Sequence, residues 1–534
     1  MSAAGTSPGS HPSSIALSLV SHTNAGKTTL ARTLLGRDIG EVRDAPHVTE
    51  FADAFTLLET PTGETLQLWD TPGFGDSLRL LKRMRQATQP LGWFLSAVWD
   101  RWRDKPFWHS QQALRNVRDH SDVVLYLVNA AETPQAAGYL ASEMELLAWT
   151  GKPVIVLLNQ LGAPREAALE DAEVQQWRQH LAAFVAVHAV LPLDAFARCW
   201  VQEFALFDAV QAALPEARRA AFARLNAAWR ARRRATFDAA AGVLAASLAR
   251  LAGARVPVPD TGLRERLRQV GSALGMSEPQ VHATTLAEQA LAEQLTNEHR
   301  DATARLLALH GLAGTAQADI TARLDALFEL HAKIDEGRAG LLGGAITGAL
   351  AGLKADILSG GLTLGGGLLA GGLIGALGGV ALARGFNRIR GSEQSWLAWS
   401  NAALDAMLDA AVLRYLAVAH FGRGRGDWAA GEAPPFWADV VTAALAPRRS
   451  AFAALWAGRG ERGPGAPASG GSSRDASNDD ALEAALKPLL LITLQDVLAR
   501  LYPAATIEAQ PADGRCGAPD GARGTHANDN AGGS

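Results

Sequence analysis

Cysteine is scarce in this chain. Cys199 and Cys516 are the only two among 534 residues, and they stand far apart. No disulfide framework exists beyond that single pairing, and neither cysteine sits in a metal-type pair, so a reduced, cytosolic setting is expected. Aromatic residues make up only 6%, while alanine is abundant, a balance that favours helix over sheet. The charge is nearly even, with a formal net of −4. That excludes a globally basic nucleic-acid binder, though not a local basic patch. The sequence has no H-E-x-x-H, no zinc-type Cys/His cluster and no nucleophile elbow. The start, MSAAGTSPGSHPSS, lacks the basic residues and long apolar run of a signal peptide.

What is present falls into blocks. Residues 1–13 form a polar tail. Between 14 and 213, short apolar runs at Ile15–Val20, Thr65–Trp69, Val123–Val128, Val154–Leu158 and Val187–Leu191 alternate with helical stretches. This spacing predicts a mostly parallel sheet with helices on both faces. Beyond 214 the strand signal disappears. Residues 214–335 read as helices interrupted at Val256-Pro257-Val258-Pro259. Residues 336–390 read as a glycine-zipper apolar hairpin. Residues 391–509 read as helical, with helices expected over 393–421 and 434–456 and a linker near 457–478. Residues 510–534 have the composition of a disordered tail. The expected fold class is an α/β domain, a mostly parallel sheet with helices on both faces, followed by a mainly α-helical region with a glycine-zipper hairpin.

The run Ile15–Val20 leads directly into Ser21-His22-Thr23-Asn24-Ala25-Gly26-Lys27-Thr28, and a helix follows from Thr29 to Leu35. The loop matches G-x-x-x-x-G-K-[ST] except at the first position, where Ser21 replaces glycine. Backbone N–H groups across Ala25, Gly26, Lys27, Thr28 and Thr29, at a helix N-terminus, make an anion nest. Lys27 supplies a point charge to the β- and γ-phosphates, and Thr28 offers a hydroxyl to Mg²⁺. Gly26 lets the backbone approach the phosphates without a Cβ in the way. Ser21 is the departure to watch, because the first glycine often takes an unusual φ.

The strand at Thr65–Trp69 ends in Asp70-Thr71-Pro72-Gly73. A strand-end acid followed at +3 by glycine suits the surroundings of Mg²⁺ and a γ-phosphate contact through the Gly73 N–H. Thr49, in Pro46-His47-Val48-Thr49-Glu50, is either a switch threonine on Mg²⁺ or a plain surface residue.

On Asn24, Thr49 and Asp70-Thr71-Pro72-Gly73, residues 14–213 resemble the Era-like branch of the translation-factor-class GTPases. The whole chain also looks like bacterial proteins that join such a GTPase to a C-terminal region of unknown function. The resemblance implies GTP and GDP as ligands with Mg²⁺. It also implies K⁺ held by Asn24 in the role of an arginine finger, and a homodimer through the GTPase domain. Phe74 stands where Ras-type enzymes place a water-orienting glutamine, so intrinsic hydrolysis is expected to be slow. The family's base-reading N-K-x-D appears here as Asn159-Gln160-Leu161-Gly162. The asparagine is kept, but the aspartate that pairs with guanine is not. Asp194 either supplies the missing acceptor or caps the following helix.

Three further features bear on partners. Trp93, Phe94, Trp99, Trp102, Phe107 and Trp108 lie between Gly73 and the Val123 strand, interleaved with Arg101, Arg103 and Lys105. They form either an effector or membrane-interface surface or the packing face of an extra helix. Residues 215–237 carry seven arginines on a helix whose Phe222, Leu225 and Trp229 share one face. That helix either meets anionic lipid or RNA, or presents a solvated face beside a core stripe. Gly340, Gly344, Gly348 and Gly352, and again Gly367, Gly371, Gly375 and Gly379, recur every fourth residue. Such stripes suit close helix packing in a membrane, and Ile357–Ala383 is uncharged and long enough to cross a core of roughly 30 Å. A soluble buried hairpin would show the same spacing. The expected function is a Mg²⁺-dependent GTP switch with slow hydrolysis, associated with the inner membrane through its C-terminal half. Two alternatives remain open: a nucleotide-binding scaffold with negligible turnover, and an RNA- or ribosome-associated assembly GTPase.

Overall fold

The computed structural model describes residues 14–22, 25–36, 53–86, 104–162, 165, 167–195, 199–258, 278–312, 386–390, 395–420, 434, 436–459 and 473–503. The first part is β1 (Ser14–Ser21), α1 (Lys27–Leu35), β2 (Asp53–Glu59), β3 (Thr65–Asp70), α2 (Ser77–Gln86), α3 (Lys105–His120), β4 (Val123–Asn129), α4 (Leu140–Ala148), β5 (Val154–Asn159), α5 (Ala167–Leu181), β6 (Val187–Pro192) and α6 (Trp200–Ala213). The sheet order is β2-β3-β1-β4-β5-β6. All neighbours are parallel except β2, which runs antiparallel to β3 at the edge.

The strands read as unbroken apolar runs because both faces are covered. In β4, Val123, Leu125 and Leu127 enter the core beneath α1 and α6. Val124, Tyr126 and Val128 enter the opposite core, under α2 to α5. This is the period-two alternation of a strand with two buried faces. The edge strand β2, DAFTLLE, is half exposed and carries acids at both ends; it was absent from the expected set because it has no apolar run.

The helical part begins with α7 (Glu216–Gly253) and continues through β7 (Arg255–Val258), α8 (Glu278–Leu309), β8 (Phe386–Arg390), β9 (Ser395–Trp399), α9 (Asn401–Ala419), α10 (Phe436–Leu445), a 3₁₀ turn, α11 (Arg449–Gly458) and α12 (Ser473–Leu501). Beyond 214 the absence of strands does not hold. β7, β9 and β8 form a three-stranded antiparallel sheet with β9 central. Pro257 pairs with Trp396 on the edge strand β7, where a missing N–H is tolerated. The same sheet converts 386–390, expected at the end of the glycine hairpin, into a strand. It also moves the start of the expected 393–421 helix to Asn401, after Ser400 accepts from the Ala403 N–H. Strands of four or five residues leave little trace in local sequence, and the β7–β9 pairing joins residues more than a hundred positions apart. The glycine-rich stretch 336–383 and the aromatic residues 93–102 lie outside the described residues.

Helix α7 is a beam of 38 residues, about 57 Å at 1.5 Å per residue. Phe222, Leu225 and Trp229 in its first half are buried with Phe204 and Phe207 of α6. Its second half, Phe237 to Ala252, is buried with α8, α9 and α12. One apolar core therefore runs from the α1/α6 face of the sheet through the helical part.

The arginines of α7 are tied into this arrangement. Arg218 meets Asp122 and the Ser14 carbonyl, Arg224 meets Glu64, Arg230 meets Asp208, and Arg233 meets Glu203. The arginine-rich face thus brackets the sheet domain at β1, the β2–β3 turn and α6. Glu64 is held down to about 2, first by the Thr60 and Thr62 hydroxyls and then by Arg224, against the cost of burial. A carboxyl depressed in this way stabilises the fold above its ordinary pKa near 4.5, and that contribution is lost as pH falls through 2. A Glu64→Gln variant is therefore expected to be less stable than the wild type at pH 7, with the gap closing towards pH 2 in thermal melts.

Candidate nucleotide-binding site

The site lies at the C-terminal ends of β1, β3 and β5, where the parallel sheet changes the direction of its strand order. Gly26 takes φ +86° just before α1, and a Cβ there would lie 2.6 Å from Asn159 Nδ2. Both the left-handed backbone and the close approach require glycine. Ser21 needs no such conformation. It ends β1 in the strand ladder, is absent from the positive-φ residues, and accepts from Lys27 Nζ at 2.8 Å. The departure from glycine at this position therefore costs the backbone nothing.

Lys27 is buried. Burial pulls its ammonium below the ordinary lysine range, while Asp70 and Glu143 pull the other way. Thr28 Oγ1 donates to Asp70 Oδ2 at 2.6 Å. Burial raises the Asp70 carboxyl, opposed by the Thr28 hydroxyl and Lys27. Asp70 Oδ1 is buried without a hydrogen-bond partner among the described residues. An orphaned carboxylate oxygen beside a threonine hydroxyl fits a hard cation. Among the described residues there is no group of three or more His, Cys, Asp or Glu able to hold a metal. A bound phosphate and water can supply further ligands to a cation here, as they do for Mg²⁺ beside phosphates.

Asp70-Thr71-Pro72-Gly73 is anchored back onto β1. Thr71 Oγ1 donates to the Leu19 carbonyl at 2.6 Å, and the Phe74 N–H donates to the Ser21 carbonyl at 2.8 Å. Gly73 is held between these two ties and is buried. The Phe74 side chain is wholly buried among Val20, Leu80 and Met84 in the core on the α2 side of the sheet. It belongs to the core on the other side of the sheet from the one that holds Ala25.

Asn159, wholly buried, ties three loops together. Its Nδ2 donates to the Ala25 carbonyl at 2.7 Å, and its Oδ1 accepts from the Ala195 N–H at 2.7 Å. Asp194 Oδ2 accepts from the Leu161 N–H at 2.7 Å. The helix-capping reading of Asp194 does not hold, since α6 is capped at Cys199. Gln160 has φ +60° and Gly162 φ +85°, so the backbone turns sharply where the family places its lysine and aspartate. Thr29 is buried in the first turn of α1. Asn24 and Thr49 lie outside the described residues. Asn159→Ala would leave the Ala25 carbonyl and the Ala195 N–H unpaired, at about 1–3 kcal/mol each. A loss of about 2–6 kcal/mol is expected from the two together, read as a lower urea midpoint together with weaker nucleotide binding.

One cluster escaped the sequence reading. His22 Nδ1 lies 2.7 Å from Glu143 Oε1, and the His22 ring stacks on Tyr139 at 4.3 Å. Tyr126 donates its hydroxyl to the other oxygen of Glu143. Burial raises the Glu143 carboxyl, opposed first by His22. These contacts pin the second residue of the loop to α4. The one trace in the sequence is that Glu143 shares the buried face of α4 with Leu140, Met144 and Leu147.

Residues 16–160 match the family described as 50S ribosome-binding GTPase, and residues 178–455 match the family described as Domain of unknown function (DUF3482). No curated protein matches the chain. Among solved structures, a variant of Era from Aquifex aeolicus bound to GDP·AlF₄⁻ is 17% identical with a TM-score of 0.29, over 38% of this chain and 58% of that one. Era in complex with MgGDPNP and a segment of 16S ribosomal RNA is 17% identical with a TM-score of 0.29, over 39% and 58%. A probable GTP-binding protein engB is 14% identical with a TM-score of 0.21, over 34% and 88%. This chain thus spans little more than half the length of the Era chains it resembles. The second match opens inside α5, so β6 and α6 belong to its span while completing the sheet of the first. With more than half of its length in that match, the chain belongs to the family described as Domain of unknown function (DUF3482), and it carries a P-loop GTPase domain ahead of a helical region.

Proposed function

We propose that this chain binds GTP and GDP with Mg²⁺ at Ser21–Thr29, hydrolyses GTP slowly, and works in association with a ribosomal particle. The observation that carries the nucleotide reading is the placement of Lys27, Thr28 and the orphaned Asp70 oxygen at the ends of β1 and β3. Lys27 would meet the β- and γ-phosphates. Thr28 and Asp70 would hold Mg²⁺, with Thr49 completing that set. The ion would supply neutralisation of phosphate charge. The Gly73 N–H would contact the γ-phosphate. Asn159 and Asp194 would shape the base pocket by holding the loops after β5 and β6.

Slow turnover is supported by Phe74, whose buried side chain offers nothing to orient water. Asn24 with K⁺ is the group expected to raise the rate, so hydrolysis is expected to be faster in K⁺ than in Na⁺. The ribosomal reading is supported by the family match over residues 16–160. A membrane reading has less behind it. Among the described residues, α7 alone is long and apolar enough to cross a bilayer, and more than half of its most apolar window is buried inside the protein.

The test uses the full chain, because the continuous core leaves the α6 face of residues 1–213 uncovered in a fragment. Binding of GTP, GDP and ATP is measured with Mg²⁺ and with EDTA, and co-sedimentation with ribosomes is measured in GTP and in GDP. Mg²⁺-dependent binding of GTP and GDP over ATP supports the site. Equal binding of ATP would replace the guanine reading with a relaxed NTPase. Ribosome binding that ignores the nucleotide, or partition to membrane vesicles instead, would remove the ribosomal reading.

A further inference from the structure

The helical region contains a buried cation that meets no carboxylate among the described residues. Arg414, in the middle of α9, is 8% exposed. Its Nη2 donates to His299 Nδ1 on α8. Its Nε is buried without a hydrogen-bond partner among the described residues. Burial alone lowers the guanidinium, to about 10, so it remains charged at neutral pH, and no acid stands among the causes of the shift. Arg233, by contrast, meets the carboxylate of Glu203.

The hydrogen bond to Arg414 also decides the tautomer of His299. An arginine can only donate, so Nδ1 of His299 must accept and the ring proton must sit on Nε2. Burial, reinforced by the Arg414 charge, holds the imidazole well below its ordinary pKa and therefore neutral. Its Nε2–H is likewise buried without a partner among the described residues. Two unsatisfied donors, one of them on a full positive charge, thus belong to side chains that line a single cavity of about 10 Å³ between α7, α8 and α9. Among the described residues the remaining lining is apolar, including Leu244, Leu248, Leu295 and Met407, except for Ser247, and contains no carboxylate. Leaving such donors unpaired costs about 1–3 kcal/mol each, and more for a charged group. A water could accept from both donors but would leave the charge uncompensated. The volume admits one water-sized body, which excludes phosphate, sulfate and carboxylate ligands.

We propose that this cavity is a binding site for a single monatomic anion of the chloride class, held between Arg414 Nε and His299 Nε2. The anion ties α8 to α9 against α7. Tyr415, next to Arg414, accepts from Trp200 Nε1 of α6 at 2.9 Å, so the site stands one residue from a link to the GTPase domain.

The test is urea unfolding and thermal melting of the full chain in sodium chloride against sodium gluconate at equal ionic strength, because gluconate is too large to enter. A saturable rise of about 2–4 °C in chloride is expected, absent in gluconate. Arg414→Met is expected to abolish that difference. Should that variant not fold, crystals of the wild type grown in sodium bromide decide the question through anomalous scattering. A bromide peak within hydrogen-bond distance of both nitrogens is expected. Equal midpoints in the two salts, or a bromide-soaked cavity holding only water, would overturn the proposal.

Discussion

Replacing Lys27 by alanine is expected to lower GTP affinity by about 100-fold while leaving the fold intact. Lys27 carries its charge into a buried setting, where its nearest acids are Asp70 and Glu143. A charge-assisted hydrogen bond is worth about 1.5–3 kcal/mol, and the ammonium reaches two phosphates. A loss near 3 kcal/mol corresponds to about two orders of magnitude in Kd. The variant also leaves the Asp70 and Glu143 carboxyls beside incoming phosphates without their counter-charge, which adds to the loss. Titration with GTP, alongside circular dichroism as the control for folding, reads the effect. An affinity within threefold of the wild type would sink the phosphate role of Lys27.

The second large effect is expected at Glu203, which no motif reading selected. This wholly buried carboxylate on α6 accepts from Trp229 Nε1 at 2.7 Å and from Arg233 Nε and Nη2 at 2.7 and 2.8 Å, all from α7. Arg233 also lies over the Trp229 ring at 4.7 Å. Breaking a buried pair by removing one partner leaves the other charge without compensation, at about 3–5 kcal/mol. Glu203→Ala is therefore expected to lower the urea midpoint strongly. Glu203→Gln keeps an acceptor for Trp229 and should lose less. The cut falls at the joint between the GTPase sheet and the beam α7, so the variant should also expose this joint to limited proteolysis. An unchanged midpoint would show that α7 is held by its apolar face alone.

Under the proposed nucleotide reading, a second contact of α7 offers a route from the site to the helical region. Arg224 of α7 holds Glu64 in the turn between β2 and β3. β3 ends at Asp70, beside Thr28. A shift of the β3 end would thus be felt by α7 through an ion pair and through the core packed beneath the sheet.

Local sequence was enough wherever the chemistry is local. The five parallel strands were legible because strands covered on both faces must be continuously apolar. The loop between β1 and α1 was legible because an anion nest needs Gly26, Lys27 and Thr28 in consecutive positions. The core stripe of α7, Phe222, Leu225 and Trp229, was legible from helical spacing, and all three are buried. Spacing names the face of a helix but not what lies opposite it. The arginines beside that stripe could therefore be read either as a surface for lipid or RNA or as a solvated face, and only the packed structure pairs Arg218, Arg224, Arg230 and Arg233 with acids of the sheet domain. Asn159 was visible as a motif remnant, yet its work as a tie between Ala25 and Ala195 depends on bringing three loops together. The same holds for His22 with Glu143, for Arg414 with His299, and for the short strands β7, β8 and β9. His22 with Glu143, Arg414 with His299 and β7 with β9 each join residues more than a hundred positions apart, and such meetings are decided by how the elements pack.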